Sequence, residues 1–331
     1  MNKVILLKKR PVGRPVLEDF EFSSAAVPDP MTGHVLLKTR YVSVDPYLRG
    51  RMNDSKSYVP SFEIGKPIQS GIIAEVIDSR HPEFRKGDFV SGNLEWKEYQ
   101  ISDGKGLMKV DEKASPLSSY LGVLGMTGMT AYLGLTEIGM PKAGETLVVS
   151  GAAGAVGSVV GQTGKIMGCK VTGITGTDEK AELLRSKFKF DHTINYKTSH
   201  DLKEAVQKAC PDGVDIYFDN VGGEISDAVL SNINKHARLP VCGAISQYND
   251  TKTQVGPRLQ PILLTKSATM RGFIVSDFSA KFPEAIKQLA AWLKEGKLTY
   301  AETIVYGFEN LPQAFIDLFD GKNKGKMIVE I

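Results

Sequence analysis

Between about Tyr120 and Leu298 the chain changes repeatedly from strand-like to helix-like texture, and this alternation limits its possible folds more than any other feature. The runs "TLVV", "KVTGITG", "HTINY", "GVDIYFDNVG", "RLPVCGAIS" and "TMRGFIVS" are separated by segments with helical spacing, among them "DEKAELLRSKF", "HDLKEAVQKA" and "AVLSNINKHA". Parallel strands need long crossovers rather than tight hairpins. The spacing is therefore that of βαβ units on a parallel sheet. About six strands can be counted, as in a doubly wound dinucleotide-binding sheet.

The first 120 or so residues read differently. "HVLLKTRYVSV", "GIIAEVID" and "DFVSGNLEWKEYQIS" are short, rich in Val, Ile, Tyr and Trp, and broken by Gly, Pro and Asp. They predict a mostly-β domain in the form of a partly closed barrel. "SAKFPEAIKQLAAWLKEGKL" predicts an amphipathic helix ending at Gly296. The strand, short helix, glycine turn and strand that follow it have the texture of the first domain. A chain of 331 residues exceeds what one core supports. The expected organisation is α/β with two domains: residues 1–122 open a β-rich domain, 123–297 form the parallel-sheet domain, and 298–331 return to complete the first. No internal repeat or low-complexity tract interrupts this pattern.

A net charge of +3 is small for this length and argues against a phosphate-facing nucleic-acid binder. No apolar stretch reaches the length of a membrane helix, and the short apolar run in "MNKVILLKKRPVG" does not fit a signal peptide. Cys169, Cys210 and Cys242 are odd in number and widely spaced, as expected of reduced thiols in a cytoplasmic protein. His34, His81, His192, His200 and His236 form no pair at ligand spacing, so no metal site is expected.

The first strand of the alternation runs into "SGAAGAVGSVVGQTGK", Ser150–Lys165. Gly151, Gly154 and Gly157 lie three apart where strand gives way to helix. That placement suits a tight turn, close approach of backbone N–H groups to phosphate, and close helix–sheet contact. A helix of small residues packed on a sheet would give the same letters. The second strand speaks to the cofactor. NAD sites place Asp or Glu at its end to bind ribose hydroxyls, whereas "KVTGITG" ends in Gly176 and Thr177 with Lys180 close behind. A 2′-phosphate would be repelled by an acid there and attracted by Lys180, with the Tyr196 hydroxyl nearby. The reading is NADPH. Asp178 is then a first-turn acid favoured by the helix dipole.

With these residues in place, the sequence resembles the zinc-free medium-chain dehydrogenase/reductases. The nearest branch is the group of prostaglandin reductase, leukotriene hydroxydehydrogenase, bacterial curcumin reductase and plant 2-alkenal reductase. The likeness lies in "LGVLGMTGMTAYLGL", "GAAGAVGSVVGQTGK", "DIYFDNVGG", "CGAISQYN", "VSVDPYLRGRM" and "GKNKGK", over nearly the whole chain. It implies a GroES-like catalytic domain completed by the C-terminus, a Rossmann NADPH-binding domain, and a homodimer. It also implies reduction of the C=C bond of α,β-unsaturated ketones and aldehydes. Cofactor contacts carried over from the family fall on Gly154, Ala155, Val156 and Gly157, on Lys180 and Tyr196, and on Asn220. They fall further on the loop Cys242, Gly243, Ala244, Ile245, Ser246, Gln247 and Tyr248, on Phe273, Ile274 and Val275, and on Asn323. Thr127 stands where the family usually has proline.

Hydride delivery to a C=C bond requires a conjugated carbonyl, whose oxygen takes up charge as an enolate forms. Without a metal, prearranged hydrogen-bond donors must stabilise that oxygen. A tyrosine hydroxyl donates while neutral. Tyr248, after the fifth strand, would emerge at the carboxyl edge of the sheet, and Tyr47 of "VDPYLRGRM" is the second candidate. Tyr58 is a candidate for the pocket mouth, and Arg49 and Arg51 are expected in domain-packing salt bridges. Quinones are conjugated carbonyls too, so a quinone reductase is an alternative, as is an NADPH-binding protein without turnover.

Overall fold

The computed structural model describes all 331 residues. The chain first forms β1 (Asn2–Leu7), β2 (Phe20–Ala25), β3 (Val35–Ser43), the single turn α1 (Leu48–Arg51), β4 (Gln69–Ser79), β5 (Phe89–Glu95), β6 (Tyr99–Ser102) and β7 (Met108–Val110). There follow α2 (Met126–Gly134), β8 (Thr146–Val149), α3 (Ala155–Ile166), β9 (Lys170–Thr175), α4 (Asp178–Ser186) and β10 (His192–Asn195). Next come α5 (Leu202–Ala209), β11 (Val214–Phe218), α6 (Gly223–Leu230), β12 (Ile233–Val241), α7 (Leu259–Lys266), β13 (Thr269–Gly272) and α8 (Phe282–Lys294). The chain ends with β14 (Glu302–Tyr306), α9 (Leu311–Phe319) and β15 (Lys326–Glu330). Met1–Gly122 and Glu302–Ile331 make one compact unit, and Val123–Ala301 makes another. Leu298–Ala301, placed with the return on sequence grounds, thus stay in the second unit. Leu298 is buried there, and Thr299 exchanges two 2.9 Å hydrogen bonds with the Gln162 side chain of α3.

In the first unit a mixed sheet runs β14-β15-β3-β4-β5-β7, with β6 also paired to β3 and the β1–β2 hairpin beside it. β15 lies antiparallel to β3, with Val329 opposite Val42. Phe308 and Phe315 from the C-terminal segment share a core with Ile5, Phe20, Leu37 and Trp96, and the Trp96 indole donates to Ser70 Oγ at 2.9 Å. The return is also held by a buried ion pair. Lys326 Nζ, on a side chain only 4% exposed, lies 3.1 Å from Asp45 Oδ1 and donates to the carbonyls of Val44 (2.8 Å) and Met327 (2.9 Å). Ser43 Oγ donates to the other Asp45 oxygen. Burial lowers the Lys326 pKa and the Asp45 charge opposes that shift.

The second unit is a parallel sheet of order β10-β9-β8-β11-β12-β13. Its centre is continuously apolar: β8 is buried at every residue, as parallel strands covered on both faces must be. The strand order reverses between β8 and β11, which opens a crevice at the carboxyl ends of those two strands. α3 packs closely on this sheet. A side chain at Gly161 would begin 1.9 Å from the Phe190 ring, so the packing reading of the small residues holds for that part of the helix. α8 ends as expected, with Gly296 N–H on Leu293 O and Lys297 N–H on Trp292 O. One expectation fails. "NINKHA" reads as helix, yet α6 stops at Leu230 and β12 starts at Ile233. The Asn234 amide ties this stretch to Asp212 O and Asp215 Oδ1, and the β11–β12 register shifts between Val214 and Ile216. Tertiary hydrogen bonding overrides the local pattern here. Thr127 is the second residue of α2, whose N-cap is Gly125. An N–H there has no intrahelical acceptor whatever the residue, so replacing the family's proline leaves the helix start intact. No helix is long and apolar enough to cross a membrane.

Removing one member of a buried ion pair leaves an uncompensated charge. Lys326→Ala is therefore expected to cost about 3–5 kcal/mol in urea unfolding. A loss below about 1 kcal/mol would show that the pair is not desolvated.

Candidate cofactor site

The residues proposed for the cofactor in the second unit all follow carboxyl ends of its parallel strands. After β8 the chain turns through Gly151, at φ +58°, and Gly154 becomes the extended N-cap of α3 with no side chain capping the helix. The N–H groups of Ala155, Val156 and Gly157 belong to the first turn and have no intrahelical acceptors. The helix dipole adds partial positive charge at that point. Glycine is required at 157, where a Cβ would lie 2.5 Å from Gly151 O and 2.8 Å from Ala152 Cα. Ala152 and Ala153 are fully enclosed beneath the turn. The result is an uncapped helix end over a glycine turn, the cradle that a diphosphate needs.

Lys180 lies in the first turn of α4, after β9, where Thr177 Oγ1 accepts its backbone N–H at 3.2 Å. Tyr196 follows β10, donates its N–H to Thr175 O, and lays its ring against Gly176, with the hydroxyl 3.1 Å from the place of a Gly176 Cβ. Two acids stand in the first turn of α4, Asp178 and Glu179; Asp178 accepts the Asn195 amide at 2.8 Å. The end of β9 itself carries no carboxylate. A phosphate on the ribose 2′ position fits this strand end, which has no carboxylate of its own and is followed by Lys180.

The ends of β8, β11 and β12 are bound to one another through Asp219. Its Oδ1 accepts Ser150 Oγ (3.0 Å), the Tyr217 hydroxyl (2.8 Å), and the N–H groups of Val221 and Gly222 (both 2.9 Å). Ser150 Oγ in turn accepts Asn220 N–H, and the Asn220 amide donates to Ser150 O at 2.8 Å. The carbonyl of Asp219 accepts the N–H groups of Cys242 and Gly243. Asn220 and Val221 carbonyls accept those of Ile245 and Ser246. Sequence reading missed Asp219 and Ser150 as organising residues. An acid closing the apolar strand "DIYF" was the available signal, since a buried carboxylate has to find donors.

The loop Cys242–Tyr248 is held by these bonds and curls on itself. The Tyr248 hydroxyl oxygen accepts the Ala244 N–H at 3.3 Å, an acceptor role that leaves the hydroxyl proton unused in that bond. Burial and the Asp219 charge push the Cys242 thiol up to about 12, so it is a thiol rather than a thiolate near neutral pH. Phe273 is an anchor. Its ring stands edge-on to Phe218 with centroids 6.1 Å apart and packs over Gly134; Ile274 and Val275 follow it, and Ile274 N–H is accepted by Asp277.

Two proposed residues belong to the first unit. Asn323 precedes β15 and donates its amide to Gly325 O at 2.8 Å. Tyr47 caps α1 and packs on the β-rich core. Burial and Asp45 raise its pKa above the ordinary tyrosine range, keeping it a neutral donor. Tyr58 is well exposed in the loop Asp54–Ser61. Arg49 departs from the salt-bridge expectation: it is buried and donates to the carbonyls of Pro11 and Gly13 and to Asn53. Arg51 stacks over Phe62 at 4.0 Å and donates to Pro60 O.

Two family profiles match the chain, an N-terminal domain of oxidoreductase over residues 3–110 and a zinc-binding dehydrogenase over 155–291. The chain is 44% identical over 335 residues to the NADPH-dependent curcumin reductase of Escherichia coli, covering 100% of this chain and 97% of that protein. The chain belongs to the zinc-free medium-chain dehydrogenase/reductases. Within this family, the NADP(+)-dependent 2-alkenal reductase of Nicotiana tabacum is 44% identical over 336 residues, covering 100% of this chain and 97% of that one. The crystal structure of CurA from Vibrio vulnificus in complex with NADPH matches this reductase fold with a TM-score of 0.95 at 44% identity, over 99% of this chain and 98% of that one. Although the second profile is described as zinc-binding, no three His, Cys, Asp or Glu side chains are grouped to hold a metal ion.

The turn gives a direct test of its own geometry. Gly157→Ala forces backbone apart and should cost about 1–3 kcal/mol. Gly154→Ala, where a Cβ meets only Gly151 O at 3.2 Å, should cost clearly less. Equal losses in thermal unfolding would contradict the assigned close approach.

Proposed function

We propose that this medium-chain reductase uses NADPH to reduce the C=C bond of α,β-unsaturated ketones and aldehydes. One observation carries the cofactor reading: an uncapped helix N-terminus lies over a glycine turn at the switch point, while the neighbouring strand ends without an acid and beside Lys180 and Tyr196. The names of the curcumin and 2-alkenal reductases support the substrate class, and the NADPH complex of CurA supports the cofactor.

In this reading the N–H groups of Ala155, Val156 and Gly157 hold the diphosphate, and Lys180 with Tyr196 holds the 2′-phosphate. Asn220, Cys242–Tyr248 and Phe273–Val275 border the nicotinamide part, and Asn323 is a further candidate cofactor contact. The bound cofactor supplies the hydride. Tyr248 serves as a neutral donor to the substrate's carbonyl oxygen, where negative charge grows as the β-carbon is reduced; Tyr47 is the second candidate for that role. Solvent then protonates the α-carbon. The substrates are small conjugated carbonyl compounds.

We also propose a homodimer. β13 is an edge strand of the parallel sheet, and an edge left open is a site for pairing with another chain. The three free cysteines suit the reducing cytoplasm proposed as its location.

Purified protein should consume NADPH when given a 2-alkenal or a benzylidene ketone. Consumption with a quinone but neither of these would favour a quinone reductase, and tight NADPH binding without any consumption would favour a binding protein. Lys180→Ala should raise KM for NADPH about tenfold or more while leaving KM for NADH little changed; equal effects would refute the phosphate role. Tyr248→Phe should lower kcat by up to about a hundredfold, the scale of one oxyanion donor. An unchanged kcat would remove Tyr248 from that role.

A further inference from the structure

We propose that Asp219 is a positioning residue that makes the turn after β11 and the loop Cys242–Tyr248 a single mechanical unit. The inference rests on the reading of that loop as the nicotinamide side of the site. Asp219 touches neither cofactor nor substrate in this assignment and acts through the backbone that it holds.

The geometry is specific. Asp219 is 4% exposed, and four donors converge on one of its oxygens from three places: Ser150 at the end of β8, Tyr217 within β11, and the Val221 and Gly222 backbone beyond it. The same residue's N–H donates to Pro240 O of β12, and its carbonyl receives Cys242 and Gly243. The side chain thus fixes the turn 219–222. The backbone of that turn fixes residues 242–246 through bonds to Cys242, Gly243, Ile245 and Ser246. Ser246 Oγ adds a 2.6 Å bond to Val221 O. Tyr248 follows two residues later with its hydroxyl on Ala244 N–H. A weakened carboxylate therefore releases the first segment and, through it, the second. By contrast, the backbones of Lys180 and Tyr196 are positioned by Thr177 Oγ1 and Thr175 O, outside the turn 219–222, so binding of the 2′-phosphate should not depend on it.

Asp219→Asn keeps the shape and an acceptor oxygen but removes the charge that strengthens all four bonds. Hydrogen–deuterium exchange on the cofactor-free protein reads the coupling without activity. Peptides covering 219–223 and 242–248 should both exchange about tenfold faster, while those covering 177–196 stay as in the parent. With a 2-alkenal, kcat should fall about tenfold, with KM for NADPH and the NADPH-over-NADH preference within about twofold. Ser150→Ala removes one donor to Asp219 and the acceptor of the Asn220 N–H, leaves the other three donors in place, and should give the same pattern more weakly, which keeps the test open should Asp219→Asn fold poorly. Faster exchange confined to 219–223, no change in either segment, or an equal loss of the NADPH preference would each overturn the proposal. Should the parent protein consume no NADPH with any conjugated carbonyl, the functional reading fails, and the exchange pattern still decides the coupling.

Discussion

Asp219 Oδ1 accepts four hydrogen bonds within a site closed to solvent. Burying a carboxylate is costly unless its lone pairs are filled, and here the filling is done by the ends of the strands that flank the switch point. The Tyr217 hydroxyl is fully buried, and burial and Asp219 raise its pKa, which keeps it protonated and able to donate to Asp219. The crevice between β8 and β11 is a consequence of strand order, but its walls are set by this carboxylate.

Beside it, the proposed phosphate side of the site depends on what is left out. α3 begins without a side-chain cap, and β9 ends without an acid, the nearest one being occupied by Asn195. Both omissions suit anionic groups: helix N–H groups without intrahelical acceptors at α3 and a strand end without a carboxylate at β9. Glycine at 157 is forced by contact distance, since backbone atoms lie where a side chain would start, and glycine at 151 by its positive φ.

Much of this was legible in the sequence because it is local. The βαβ alternation, the glycine turn, the missing acid after "KVTGITG" and the helix stop at Gly296 depend on residues close together in the chain, and the resemblance to the reductase group drew on the same motifs. What was not legible joins distant residues. Ser150 and Asp219 lie 69 positions apart, and Lys326 reaches back 282 positions to Val44. Arg49 looked like a salt-bridge residue, yet its buried guanidinium serves carbonyls of the Pro11–Gly13 segment. "NINKHA" looked helical until Asn234 found Asp212 and Asp215 in the preceding strand and its approach. Phe273 was named as a cofactor contact by resemblance, while its packing against Phe218, a residue 55 positions earlier, could not be read from the chain.

In the proposed reaction, negative charge grows on a carbonyl oxygen remote from the carbon being reduced, with tyrosine hydroxyls as candidate donors. That claim concerns where the hydride goes, and isotopic labelling reads it directly. With NADPH deuterated at the transferable position and a 2-alkenal, mass and NMR analysis of the product should place deuterium on the β-carbon of a saturated aldehyde. Deuterium on the carbonyl carbon of an unsaturated alcohol would contradict the account.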